Sequence, residues 1–304
     1  MASFDELVKQ KIKTFEDAPD ELATAAQKAQ AKAWRELLPL IQKMDVDSNG
    51  NITQTNANIE RIGIIADKLN QLLGGKEYQD AVKTFLSSID KGVELTTEIA
   101  QKIDSNFEPT KAQKNLLALM KKNVIDSLFG YGLRDVNTQF VEALTLNLGS
   151  KSSLSDTIKA LETVVVGGDG LDGKLVKHIK TVALTASGLT VGAYSRTAND
   201  VIGAEFFKYV GGEIPTTREF CQHREGEIWH RKEYESWGNG KNAGGLDDIV
   251  DGEWAGRADW TNASTIFDLP GGWNCRHAVV PVLTRLVPET VKARAEAQGF
   301  YNPE

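Results

Sequence analysis

From about residue 20 to residue 210, apolar residues return at three- and four-residue spacing, which restricts the first two thirds of the chain to helices. Pro19 and Asp20 are expected to open a first long helix with a stripe at Leu22, Ala25, Ala29, Ala33, Leu37 and Ile41. A second stripe, Ile59, Ile62, Ala66, Leu69 and Leu73, stops at Gly74-Gly75, residues suited to a helix C-terminus. A third begins near Lys76, runs through Tyr78, Val82, Phe85, Leu86, Ile89 and Val93, continues through Ile99 and Ile103, and is ended by Pro109. Two further patterns follow. Then Ser153 and Asp156, spaced as in a capping box, open another. The stretch from Gly170 to Val210 reads as one or two more helices rich in small residues. Each stripe is one-sided, so each helix needs neighbours to bury it. Residues 1–212 are therefore expected to form a helical scaffold.

Beyond about Gly211 the texture changes. Helical rhythm fades, glycine becomes frequent, and five of the six tryptophans appear: Trp229, Trp237, Trp254, Trp260 and Trp273. Short apolar runs such as "EIWH" and "HAVVPVL" fit strands better than helices. The fold class expected is a mainly α N-terminal region followed by a small α+β domain at 213–304. A domain of that size gains from an added staple.

The formal net charge of −7 argues against a chain whose main task is to coat DNA. No run of about 20 apolar residues occurs, so no membrane span is expected. The opening "MASFDELVKQKIKT" is charged throughout and lacks the apolar core of a secretory signal. Two cysteines are too few for a disulfide scaffold, and synthesis in a reducing cytosol is expected.

Those two cysteines each open a Cys-x-His pair, Cys221 with His223 and Cys275 with His277, although the chain holds only four histidines. On a strand, residues i and i+2 share a face, so two such pairs would supply the Cys₂His₂ set of a structural zinc site. The spacing is not that of a familiar zinc finger. A disulfide or near contact of the two cysteines, and ordinary packing of buried cysteine and histidine, are the alternatives. A catalytic Cys–His dyad lacks a third, orienting group.

"DVDSNGNITQTN", from Asp45, copies the start of a calcium loop, with Asp45, Asp47 and Asn49 as oxygen ligands and Gly50 at the turn. Asn56 stands where a bidentate Glu belongs, so a polar turn between helices is the favoured reading. "VVVGGDGLDGK" lacks phosphate-loop spacing and reads as a flexible connection, and His178 stands alone on a helical stretch. No nucleophile-elbow, zinc-protease or paired-carboxylate motif is present, so no catalytic residues are expected.

"TTREFCQHREGEIWHRKEY", followed at a distance by "GGWNCRHAVVPV", resembles the C-terminal domain of MuF-like phage minor head proteins, also called head morphogenesis proteins. The matching positions are Arg218, Phe220, Cys221, Gly226, Gly271, Asn274, Cys275, Arg276, His277 and Pro281. Family members often carry an acid before the first block, where this chain has Ile214. The resemblance covers roughly the last quarter of the chain. It implies a structural virion protein made in the host cytoplasm and carried in the phage head. Such a protein acts in head assembly or DNA packaging and ejection through the portal or major capsid protein, with contact to packaged DNA. The alternative it leaves is an enzyme or toxin-like effector delivered with the particle and carrying a metal-stapled C-terminal domain.

Overall fold

The computed structural model describes residues 3–168 and 170–302. In chain order its helices and strands begin with α1 (Phe4–Ile41), α2 (Asn56–Leu73), α3 (Lys76–Ile103) and α4 (Lys111–Ile125). A π-helical stretch, Asp126–Gly132, leads into α5 (Leu133–Gly149), followed by α6 (Leu154–Val165). The short strands β1 (Gly167–Gly168) and β2 (Leu171–Asp172) precede α7 (Lys174–Val201). The remainder comprises β3 (Phe206–Val210), α8 (Glu219–Gln222), β4 (Ile228–His230), α9 (Arg231–Gly238), β5 (Ala278–Val282) and α10 (Glu289–Ala297). The expected architecture holds: a long helical region followed by a small α+β region with short antiparallel sheets.

Two compact units emerge, and neither follows chain order. One gathers residues 3–18, 86–121 and 183–302; the other gathers 19–85 and 122–182, apart from Asp169.

The second unit holds α2, α5 and α6 whole, with parts of α1, α3, α4 and α7. The α2 stripe is rotated from the expected one: Ile65, Ala66, Leu69 and Leu73 are buried, whereas Ile59 is exposed. Ser153 caps α6 as its spacing predicts, accepting the Asp156 amide at 3.0 Å. The glycine-rich stretch after α6 is not a plain connection, since β1 and β2 pair antiparallel there; Asp169 between them lies outside the described residues. His178 is partly buried, with its Nε2 3.2 Å from the Ser127 carbonyl.

In the first unit, α1 starts at Phe4, well before Pro19, which lies inside the helix. Proline removes one backbone hydrogen bond, but Phe4, Leu7, Val8 and Ile12 already form a helical stripe that is covered by Leu95, Ile99, Val210 and Val280. Its three-stranded sheet has the order β4-β3-β5, with both pairings antiparallel. The central strand β3 precedes the change of texture and is a strand where helix was expected. Gly203, at φ +62°, ends α7's run, and the aromatic, β-branched segment "FFKYV" suits a pleated surface.

β3 carries buried residues on both faces, Phe206 and Val210 on one and Phe207 and Tyr209 on the other, with Lys208 exposed between them. Phe207 and Tyr209 face a cluster containing Trp229, Tyr234, Trp237 and Phe267. On the other face, Phe206 meets Val287 and Val291, while Val210 meets Leu7 and Leu95. Pro281 falls on β5, an edge strand, where a missing amide is tolerated. Trp229, Trp237 and Trp254 are buried, whereas Trp260 and Trp273 meet edge to face nearer the surface.

Candidate metal centre

Two turns build the centre. The first is α8, where Cys221, Gln222 and His223 donate their amides back to Arg218 and Glu219 carbonyls. After it, Gly226 takes φ +77° and donates its amide to the Tyr209 carbonyl, returning the chain to the sheet. The second is the turn through Gly271, Gly272 and Asn274, in which the Cys275 amide donates to the Gly272 carbonyl. Arg218 ties the turns together. Its guanidinium donates to the Gly271 carbonyl at 2.9 Å and to the Trp273 carbonyl.

These turns bring Cys221 Sγ, Cys275 Sγ and a His277 ring nitrogen within 4.8 Å of one another. All three residues are buried, and both cysteines are free thiols. His277 Nδ1 lies 3.7 Å from Cys275 Sγ, and the His277 amide donates to the same sulfur at 3.3 Å. The Tyr209 hydroxyl donates to Cys221 Sγ at 3.3 Å. Gly271 makes the approach feasible, because a Cβ there would sit 2.5 Å from both sulfurs.

The thiols do not titrate alike. A hydrogen bond from Cys275 and the neighbouring His277 hold Cys221 well below the usual thiol range, against the effect of burial. The same pairing, with burial, pushes Cys275 far up. Burial alone would lower His277, but Cys221 and the Glu225 carboxylate outweigh it and raise it. Soft sulfur donors beside an imidazole form a donor set suited to a thiophilic divalent ion. Cys221, Cys275 and His277 could therefore bind a metal.

His223 does not join them. The expectation of a Cys₂His₂ quartet rested on strand geometry, but Cys221 and His223 lie on a helical turn. There, residues i and i+2 point about 200° apart. His223 is exposed, and its Nδ1 lies 2.9 Å from Asp248 Oδ2. Spacing alone therefore brings in one residue too many.

Spacing also misses Glu225 and Tyr209. Glu225 Oε2 lies 2.8 Å from His277 Nε2, so a third, orienting group does accompany the Cys–His contact. No sequence signal marks it. Cys221 is only 2 % exposed, so a substrate carbonyl has no route to its sulfur unless the domain opens.

The other motif residues serve the same core. Phe220 stacks on Trp254, with ring centroids 4.3 Å apart, and Arg224 lies over its other face. Asn274 takes the left-handed conformation at φ +57°, and Arg276 is partly exposed. In the second unit, Asp45 accepts from Arg61 at 2.8 Å and from Thr55 at 3.2 Å. Asp47 accepts the amides of Asn49 and Asn51, while Asn56 begins α2. The loop uses its oxygens as an Asx-type turn does. Among the described residues, no helix is long and apolar enough to cross a membrane.

Comparison of the chain with protein-family models, curated proteins and solved structures returns no match.

Proposed function

We propose that the chain is a structural minor head protein of a tailed bacteriophage, acting in head assembly or DNA packaging and ejection. Its partners in this reading are the portal or major capsid protein. One observation carries the proposal. The two blocks that resemble the MuF-like domain, about fifty residues apart, meet through Arg218, Cys221, Gly271, Cys275 and His277. A chance match of rare residues has no reason to converge in space. The burial of Cys221 favours a structural role over a delivered enzyme.

Zinc is the metal proposed, because two thiolates and one imidazole suit its borderline-soft character. Zinc would staple the C-terminal turns to the sheet. Two measurements test the reading. Mass spectrometry of purified particles should find the protein in heads, and its presence only in infected-cell lysate overturns the proposal. Elemental analysis of the purified chain should find stoichiometric zinc; a metal-free chain with unchanged stability in chelator removes the staple.

A further inference from the structure

Glu225 belongs to neither Cys-x-His pair, yet the turn that presents Cys221 also presents Glu225. Its amide donates to the Cys221 carbonyl at 3.0 Å, one helical turn on. Gly226 then leaves in the left-handed conformation and anchors to Tyr209. The Glu225 carboxylate is thus held on the far side of the His277 ring from the sulfurs, 2.8 Å from Nε2. An ionised carboxylate can only accept, so Nε2 carries a proton, and Nδ1 is left as the nitrogen whose lone pair a metal can take.

Nδ1 is the nitrogen facing the thiols, 3.7 Å from Cys275 Sγ. A tetrahedral zinc with ordinary Zn–S and Zn–N bonds separates sulfur from nitrogen by about 3.6 Å. Cys275 and His277 are thus spaced as ligands of one ion, and Cys221 Sγ lies within 4.8 Å of both. Histidine ligands commonly donate their second N–H to a carboxylate, which fixes the tautomer and raises ligand basicity.

We propose that Glu225 is the positioning residue of the centre, committing His277 to bind zinc through Nδ1 together with Cys221 Sγ and Cys275 Sγ. Tyr209 plays the matching part on the sulfur side, donating to Cys221 from the central strand β3. This assignment rests on the zinc reading above. It adds the ligating nitrogen and a fourth residue, Glu225, whose removal leaves every ligand atom in place.

The experiment uses the full chain and its Glu225→Ala and Glu225→Gln variants. Zinc affinity is measured by competition with a chromophoric chelator, and cobalt substitution reports thiolate ligation. Nitrogen-15 NMR of His277 reports which ring nitrogen binds. The expected result is metal on Nδ1, a loss of about 10- to 100-fold in affinity for Glu225→Ala, and affinity close to that of the parent for Glu225→Gln. The glutamine oxygen still accepts the Nε2 proton. Coordination through Nε2, or undiminished affinity in Glu225→Ala, overturns the assignment while leaving zinc in place. Glu225→Gln binding as weakly as Glu225→Ala overturns positioning by hydrogen bond. A parent chain that takes up neither zinc nor cobalt removes the metal reading and this assignment with it.

Discussion

Arg224 and Asp248 form a two-pronged ion pair inside the C-terminal region, with N···O distances of 2.6 and 2.9 Å. The guanidinium is fully buried, lying 3.6 Å from the Phe220 ring centroid and 4.2 Å from that of Trp237. Asp248→Ala strands that cation and is expected to cost about 3–5 kcal/mol. Denaturant titration followed by tryptophan fluorescence measures it, and a loss below about 1 kcal/mol would show the pair behaving as a surface one. Burial opposes ionisation of Asp248, but Arg224 and His223 hold its carboxyl below the usual range. This contribution should persist above about pH 4 and fade as pH falls through the lowered pKa.

Lys11 is buried on α1, with the Ser195 hydroxyl accepting from its Nζ at 2.9 Å. Burial lowers its pKa to about 7. An unfolded chain holds that proton up to about pH 10, so this site lowers stability progressively as pH drops from about 10 to about 7. Below about 7 the penalty is constant. Lys11→Met should raise stability at neutral pH by on the order of a few kcal/mol and flatten that alkaline slope. Unfolding midpoints measured between pH 7 and 10 decide it, and an unchanged slope would place the amine in water.

His230 closes β4 and caps α9, its Nδ1 accepting the Lys232 amide at 3.2 Å while the Glu233 carboxylate accepts the His230 amide. Burial pushes its pKa down to about 4. Between about pH 6.5 and 4 the unfolded chain gains a proton that the folded chain refuses, so stability declines across that window. His230→Asn keeps a capping acceptor and should erase this acid limb. The check is the pH dependence of the denaturation midpoint, with persistence of the limb in the variant as the contrary result.

Gly271→Ala places a methyl group against both sulfurs. The centre would have to open, with a destabilisation of about 1–3 kcal/mol from overpacking and, with zinc bound as proposed above, loss of the metal. Metal analysis and a melting curve on the same sample test this, and a variant retaining full zinc would mean that the turn yields easily. Cys275→Ser should lose the metal without any steric change.

How much of this was legible in the sequence varies with the kind of signal. Stripes of period 3.6 located α2, α3 and α6 well, because a helix repeats its burial every turn. β3 escaped because apolar residues occupy both of its faces, leaving Lys208 alone to hint at the alternation that marks a strand. The pairing of Cys221 with Cys275 and His277 was visible as rare residues in two blocks. Whether His223 pointed inward depended on a four-residue helix too short to show any period. Glu225 was beyond reach, since its role comes from a contact across about fifty residues.

The burial of Leu7 against Val210 and Val280 has a consequence for synthesis. The first turns of α1 leave the ribosome well before their apolar partners, which come from β3 and β5. At about 5–20 residues per second, the amphipathic segment waits for a time on the order of tens of seconds with its greasy side uncovered. A chaperone that holds exposed apolar surface suits that interval. Stalling the nascent chain before residue 206 should leave Leu7 accessible to crosslinking.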